Sequence, residues 1–167
     1  EWSGIAPDIL ASAKGLGGGF PIAAALANER VAEAMTAGSH GSTYGGNPLA
    51  MAAGNAVLDV VLKPGFMENV QARGDELKAG LEKLVAKYPT LLESARGRGL
   101  MVGLKCSAKI LNGDLVAKAM AHGLLSVPAG DNVVRFVPPM VITSEQINEA
   151  VSILDTALSE LSSDSTD

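Results

Sequence analysis

The chain has 167 residues, of which 47% are hydrophobic, and a formal net charge of −5 at pH 7. This length and composition allow a sizeable buried core and indicate one domain, or one domain and part of another. The negative charge and the lack of a Lys/Arg-rich run argue against nucleic acid or an anionic membrane as the main partner. The single cysteine, Cys106, excludes an internal disulfide, and two histidines are too few for a typical metal cluster.

The first residue and the apolar segments suggest where the protein is located and whether the chain is part of a longer one. The first residue is Glu1 and not Met, so we interpret the chain as the later part of a longer protein. The most apolar segment, residues 9–27, is interrupted by glycines and Pro21, which argues against a membrane span. No signal peptide is evident, and we expect a cytoplasmic location. Cys106 lies in an apolar run and is expected to be a buried structural thiol.

Lys14 is the only charged side chain between Ile9 and Asn28. Asp8 to Ser12 is expected to form a short strand, which places Lys14 at its carboxyl end, where α/β proteins bind ligands. An amine that loses water there is favoured in its neutral, nucleophilic form, as Schiff-base chemistry requires. The alternative is a lysine at a strand end that extends to water beside a flexible loop.

Glycines follow Lys14 at positions 15, 17, 18 and 19, where they remove side-chain bulk and permit positive φ. They do not complete the dinucleotide-binding pattern G-x-G-x-x-G, because Phe20 occupies the third glycine position. A P-loop is excluded because Lys14 precedes the glycines. The apolar run Phe20 to Ala27 predicts a fully buried strand, with a helix left open, and Glu29 to Ala37 predicts a short helix.

A second informative segment, Ser39 to Pro48, is rich in hydroxyls and glycine. Asn47 is expected to cap a helix that begins at Pro48 and ends near Leu62. Because this helix is almost free of charge, it is expected to be buried nearly all round. The hydroxyls and free backbone amides just before it suit an anion site, although a polar turn whose Ser and Thr bond their own backbone is the alternative.

The second half of the chain has an α+β pattern. Phe66 to Lys87 has the spacing of a long amphipathic helix, and Thr143 to Gln146 has the form of a capping box that opens the last helix. The tail from Ser162 is expected to fray. The remaining predicted elements are strands at 100–106, 124–127 and 133–137 and a helix at 114–122.

Arg135 shares a strand face with valines just before Pro138 and Pro139. A guanidinium in apolar surroundings usually binds a carboxylate, and the alternative is an edge-strand arginine that extends to water. Arg96 and Arg98 are expected to be turn and surface charges, or contacts to a neighbouring subunit.

Four segments resemble, in this order, the second half of a class III (fold type I) pyridoxal-phosphate aminotransferase. They are AKGLGGGFP, GSHGSTYGGNPLA, RGRGLMVGL and PAGDNVVRFVPPMVIT, and the resemblance extends over essentially the whole chain. It implies an α/β fold of type I, comprising the end of the large doubly wound domain and a C-terminal α+β small domain. The implied boundaries are 1–64 for the large-domain portion, 65–88 for a connecting helix and 89–167 for the small domain.

The resemblance also implies roles for individual residues. Lys14 would bind pyridoxal 5′-phosphate through a Schiff base and carry a proton between the substrate carbon and the cofactor. Thr43 would contact the cofactor phosphate of the partner subunit and Ser42 the substrate, so that the active site would require a homodimer. Arg135 would bind a substrate carboxylate. Lys105 stands where many family members have an acidic residue, and we expect this to affect the surface only.

Other parts of the family's active site lie in its first half and are not found in this sequence. They are a phosphate loop, an aromatic residue that stacks on the pyridine ring, a second substrate arginine and an aspartate for the pyridine nitrogen. We therefore expect the chain to be inactive alone. The implied reaction transfers the terminal amino group of N2-acetylornithine to 2-oxoglutarate. Alternatives are succinylornithine, succinyl-diaminopimelate, ornithine or 4-aminobutyrate as donor, or a truncated domain without catalysis.

Overall fold

A computed structural model describes residues 3–164 of the chain, with the side chain of residue 164 excepted. The residues divide into two compact units, the first ending at Phe66 and the second beginning at Met67. The helices are α1 Glu29–Ala32, α2 Pro48–Val61, α3 Phe66–Lys87, α4 Asn112–Ala121 and α5 Ser144–Asp164. The strands are β1 Ile9–Ser12, β2 Ala24–Ala27, β3 Leu92–Arg98, β4 Met101–Cys106, β5 Val127–Ala129 and β6 Val133–Phe136.

The first unit contains a two-stranded antiparallel sheet and two helices. β1 pairs with β2 in a register that sets Ile9 opposite Ala27 and Ser12 opposite Ala24. β1 ends before Lys14, as predicted. A single 3-10 turn, Lys14–Gly17, follows it. Asn47 caps α2 as predicted, since its side chain accepts a hydrogen bond from the Ala50 N–H at 2.9 Å.

Two predictions for the strand and helix after Lys14 are wrong. The apolar run from Phe20 forms a strand only from Ala24, because the Phe20 N–H bonds Gly17 O and continues the turn, while Pro21 has no N–H to give. The strand is also mostly exposed and not fully buried. α1 spans four residues and ends at Ala32, well before Ala37; none of its residues is buried, so no packing stabilises a longer helix.

The prediction that α2 is buried nearly all round is also wrong. Its buried residues are Ala50 and Gly54, whereas Leu49 is 65% exposed and Leu58 40% exposed. Within the first unit, the Lys14 turn is the element that packs most closely against α2. A sequence without charge indicates an apolar surface, but burial depends on which elements cover that surface.

The second unit is a four-stranded antiparallel sheet, ordered β3-β4-β6-β5, with α3, α4 and α5. The helix at Phe66–Lys87 has the predicted bounds, and its apolar stripe, including Leu77, Leu81 and Leu84, is buried. The capping box is confirmed: the Gln146 N–H donates to Thr143 Oγ1 at 3.3 Å and the Thr143 N–H to Gln146 Oε1 at 3.0 Å. The core contains the fully buried side chains Leu81, Leu92, Leu104, Leu115, Ile147, Leu154 and Leu158.

Several boundaries in the second unit differ from prediction: α4 begins at Asn112 and not at Asp114, and β6 ends at Phe136 and not at Val137. Two further differences have a local cause. The strand expected at 124–127 begins at Val127, because the Leu124 N–H bonds Ala119 O at 2.9 Å and closes the end of α4 instead. The helix α5 continues through Ser162 to Asp164, and Ser163 Oγ donates to Ser159 O at 3.1 Å. The prediction that the tail frays from Ser162 is therefore wrong for residues 162–164. Residues 165–167 lie outside the described residues.

No single helix within residues 3–164 is long and apolar enough to cross a membrane, and α2 and α3 meet that test only when counted together.

Candidate active site

Lys14 stands at the beginning of the 3-10 turn with a backbone φ of 54°. Side-chain-bearing residues seldom adopt this left-handed region, and doing so costs about 1 kcal/mol or more. The turn is closed by two hydrogen bonds, from Leu16 N–H to Ala13 O at 3.2 Å and from Gly18 N–H to Gly15 O at 3.1 Å. The lysine is therefore presented by a tight, strained turn and not by the strand that precedes it.

A recess of about 440 Å³ adjoins this turn. Its lining residues are Lys14, Gly15, Gly18, Gly19, Phe20, Pro21 and Ile22. A Cβ added at Gly15 or Gly19 would meet no atom within 4 Å, so these two glycines leave the space beside Lys14 open. Gly19 also has a φ of 110°, which a residue with a side chain rarely adopts.

The Lys14 side chain is exposed in the structure. The prediction that the amine is withdrawn from water is thus wrong for the described residues, because glycines on the recess wall cannot cover it. The exposed amine remains accessible to a carbonyl compound that enters the recess, which is the geometric condition for a Schiff base.

The loop before α2 presents Ser42 and Thr43, both exposed. Asn47 fixes this loop to the helix, because its Nδ2 donates to Tyr44 O at 2.9 Å while its Oδ1 caps Ala50. Among residues 3–164 the hydroxyls of Ser42 and Thr43 have no hydrogen-bond partner, whereas Ser39 Oγ donates to Thr36 O at 2.6 Å. The alternative of a polar turn bonded to its own backbone therefore holds for Ser39 and not for Ser42 and Thr43. Both hydroxyls are free for a ligand, although neither lines the recess beside Lys14.

Arg135 lies in β6 of the second unit, opposite Gly103 of β4 and Val127 of β5. It lines a groove of about 680 Å³ whose walls are mainly apolar, with Val137, Pro138 and Ile142 among them. Every other residue that lines this groove is uncharged, and within residues 3–164 the guanidinium has no salt bridge. An unpaired guanidinium beside apolar surface suits the carboxylate of an organic acid.

The structure therefore brings Lys14, Ser42 and Thr43 into one compact unit and places Arg135 in the other. Among residues 3–164 no group of three or more His, Cys, Asp or Glu side chains is arranged to hold a metal ion.

A charged cluster beside β6 was not predicted from the sequence. Lys105 Nζ contacts Asp131 O at 2.6 Å and Asp131 Oδ1 at 2.7 Å, and an Arg96 nitrogen lies 2.9 Å from Asp131 Oδ2. The hydrogen bond from Lys105, followed by that from Arg96, lowers the pKa of the Asp131 carboxyl. Lys105 was expected to affect the surface only. Its side chain is 18% exposed, however, and its contacts with Asp131 stabilise the turn that leads into β6.

Asn132 completes this turn, and its φ of 51° follows one of 59° at Asp131. Its Nδ2 donates to Ser107 O and Ile110 O, each at 2.9 Å, and its Oδ1 accepts from the Asn112 N–H at 2.7 Å. The sequence signal available was the Gly-Asp-Asn triplet, which is typical of a hairpin turn. The partners lie about twenty or more positions away, so local pattern could not identify them.

An accessible lysine amine beside an open recess can form a Schiff base with a carbonyl compound. The chain belongs to the class-III aminotransferase family, whose family model matches residues 1–158. This confirms the predicted family, and the mixed α/β structure with aminotransferases as structural neighbours confirms the predicted fold type I.

Curated relatives include acetylornithine aminotransferases. That of Brucella melitensis is 56% identical over 162 residues, covering 97% of this chain and 40% of the relative. That of Agrobacterium fabrum is 51% identical over 161 residues, covering 96% of this chain and 40% of the relative. The chain thus spans about 40% of the length of the curated relatives it matches.

Solved structures give the same family. An acetylornithine aminotransferase from Elizabethkingia anophelis matches with a TM-score of 0.86 and 36% identity, over 95% of this chain and 40% of that one. An ornithine aminotransferase from Toxoplasma gondii matches with a TM-score of 0.87 and 32% identity, over 96% of this chain and 39% of that one.

Proposed function

We propose that this chain belongs to an aminotransferase that moves the terminal amino group of N2-acetylornithine to 2-oxoglutarate. The observation that carries the proposal is the 56% identity, over 162 residues that include Lys14, Thr43 and Arg135, to a protein named acetylornithine aminotransferase. Ornithine aminotransferases also match, but with lower identity, 32% for that of Toxoplasma gondii. We therefore favour the acetylated donor over ornithine, succinylornithine, succinyl-diaminopimelate and 4-aminobutyrate.

The residues at the recess fit the aldehyde end of pyridoxal 5′-phosphate. Lys14 supplies an exposed primary amine, and Gly15 and Gly19 leave open space beside it. The cofactor, when bound, supplies an aldehyde and an electron-withdrawing ring. In this proposal Lys14 Nζ holds the cofactor and afterwards moves the proton that leaves the substrate carbon bearing the amine.

The remaining site residues would bind the cofactor phosphate and the substrate. The free hydroxyl of Thr43 would hold the cofactor phosphate of the partner subunit, and Ser42 would contact the substrate. Arg135 would hold a substrate carboxylate with paired N–H donors, because it is exposed at the wall of a mainly apolar groove that an organic acid could enter. The proposed enzyme is a homodimer that acts on small molecules in the cytoplasm.

We also propose that the two units reflect the domains of the complete enzyme. In that arrangement residues 1–64 belong to the large cofactor-binding domain, 65–88 form a connecting helix and 89–167 form the small domain. The support is the division of the chain into two compact units between Phe66 and Met67, close to the proposed boundary after residue 64.

Steady-state kinetics on the complete gene product test the proposed reaction. N2-acetylornithine, ornithine, succinylornithine, succinyl-diaminopimelate and 4-aminobutyrate are compared as donors to 2-oxoglutarate by kcat/KM. We expect the highest value for N2-acetylornithine and loss of turnover in Lys14→Ala, while Lys63→Ala, an exposed lysine of the same unit, keeps it. A clear preference for 4-aminobutyrate would contradict the proposed substrate, and inactivity with every donor would favour the non-catalytic alternative.

A further inference from the structure

Ile22 packs against the turn that carries Lys14 at a place where that turn lacks a side chain. Gly17 is the buried residue of the turn, and a Cβ added to it would stand 2.5 Å from Ile22 Cγ2. Such a distance is too short for two carbon atoms, so the Ile22 methyl group occupies the space that any larger residue at position 17 would need.

The same side chain also contacts helix α2. A Cβ added at Gly54 would stand 3.4 Å from Ile22 Cδ1 and 3.9 Å from Leu16 O. Ile22 is therefore seated between two glycines, Gly17 of the turn and Gly54 of the helix, which we call the glycine seat. One helical turn further on, Val57 Cγ2 would lie 2.8 Å from a Cβ added at Gly18.

Stiffness makes Ile22 suited to hold the turn in place. A branched Cβ restricts χ1 of this side chain to few rotamers, so the Cγ2 methyl group has a fixed direction relative to the backbone. The Lys14 backbone is in a left-handed conformation, and such conformations persist only where the surroundings determine them. Backbone hydrogen bonds from the Leu16, Gly18 and Phe20 N–H groups hold this turn, and the Ile22 side chain adds a packing constraint beside Gly17.

We propose that Ile22 is a positioning residue for Lys14, acting through the glycine seat to hold the amine toward the recess. This inference rests on the proposed function for the role of Lys14 itself. Because α2 begins directly after the loop with Ser42 and Thr43, the same contact fixes the amine relative to that loop. Misplacement of a reacting group by about 1 Å can lower a rate by about a hundredfold, so a stiff contact here has a measurable effect.

Competitive labelling of the complete gene product tests the proposal. Pyridoxal 5′-phosphate and cyanoborohydride are added, and peptide mass spectrometry gives the ratio of modification at Lys14 to that at Lys63. Ile22→Val keeps the Cγ2 methyl that meets Gly17 but loses the Cδ1 that faces Gly54, so we expect a ratio between those of the wild type and Ile22→Leu. Ile22→Leu keeps the carbon count but moves that methyl, and we expect the ratio to fall by about tenfold. Ile9→Leu, at a residue 62% exposed in β1, is the matched control and should change nothing.

Amide hydrogen exchange supplies a readout that does not depend on the cofactor. The N–H groups of Leu16, Gly18 and Phe20 close the turn, and we expect them to exchange faster in Ile22→Leu than in Ile22→Val. Equal labelling ratios and equal exchange in these two variants would overturn the role of Ile22. A wild-type chain that shows no preference for Lys14 over Lys63, but with the expected exchange difference, would instead contradict the proposed function and leave the glycine seat standing.

Discussion

Cys106 shows how burial alone changes the chemistry of a residue. Its side chain is 1% exposed in β4, as the sequence predicted from its apolar neighbours. Burial raises the pKa of the thiol to about 11, and the nearby Lys105 charge opposes this only in part. A thiol that stays protonated in this way is a packing residue and a poor nucleophile.

The raised pKa predicts a loss of stability at high pH. In the unfolded chain the thiol loses its proton near its ordinary pKa of 9.0, whereas in the folded chain it holds the proton to about 11. Between these values the unfolded state binds fewer protons, so the free energy of unfolding falls as pH rises. Urea unfolding at pH about 8 and about 10 should show a larger decrease for the wild type than for Cys106→Ala. Equal decreases would contradict this.

Lys14 illustrates what residue-level reasoning could and could not predict. Its place after a strand and before glycines was evident from the sequence, and the structure has this arrangement. Its exposure and its positive φ were not predicted, because both depend on how the turn packs on Gly54 and Val57, more than thirty residues away.

At the scale of elements, α3 depends on one close contact with the turn between β3 and β4. A Cβ added at Gly74 would fall on the backbone of Gly99, nearer than two atoms can approach. Gly99 has a φ of 52°, so the turn that makes this contact is itself of a kind that favours glycine. The helix and the turn can pack in this way only while position 74 has no side chain.

Substitution of Gly74 by alanine should therefore destabilise the second unit by about 2 kcal/mol, as overpacking of a close contact does. The matched control is Gly113→Ala in α4, where an added Cβ meets no atom within 4 Å. There the change should stabilise by about 0.5 kcal/mol, because alanine loses less backbone entropy than glycine in a helix. Denaturant unfolding measures both, and similar values for the two variants would show that the close contact is absent.

The elements that sequence predicted well are those with a long periodic pattern. Leu77, Leu81 and Leu84 in α3 recur at helical spacing, and their burial follows from that pattern. The strand at 124–127 was misplaced because Leu124, an apolar residue, closes α4 through its N–H instead of pairing in the sheet. Contacts distant in sequence, such as that of Lys105 with Asp131, leave no local pattern at all.

At the scale of the whole molecule, the two units differ in how much apolar surface they bury. Among the described residues, the core cluster consists of side chains from Leu77 to Leu161, all in the second unit. Among residues 3–66 Ala50 is the buried hydrophobic side chain, while Ile5, Leu49 and Leu62 are at least 65% exposed. The second unit thus has a core of its own, and the unit that carries Lys14 has extensive apolar surface open to further packing.

The most direct test of the account is the location of the lysine that binds the cofactor. The complete gene product is incubated with pyridoxal 5′-phosphate, reduced with borohydride and digested, and the modified peptide is identified by mass spectrometry. We predict a single major modification at Lys14, and no equivalent modification in Lys14→Ala. The modification at Lys14 should be lost when excess cofactor is first removed and N2-acetylornithine is then added before reduction, because the donor amine would displace the lysine. Modification centred on another lysine, with transamination retained in Lys14→Ala, would contradict the assignment of Lys14 and the function built on it.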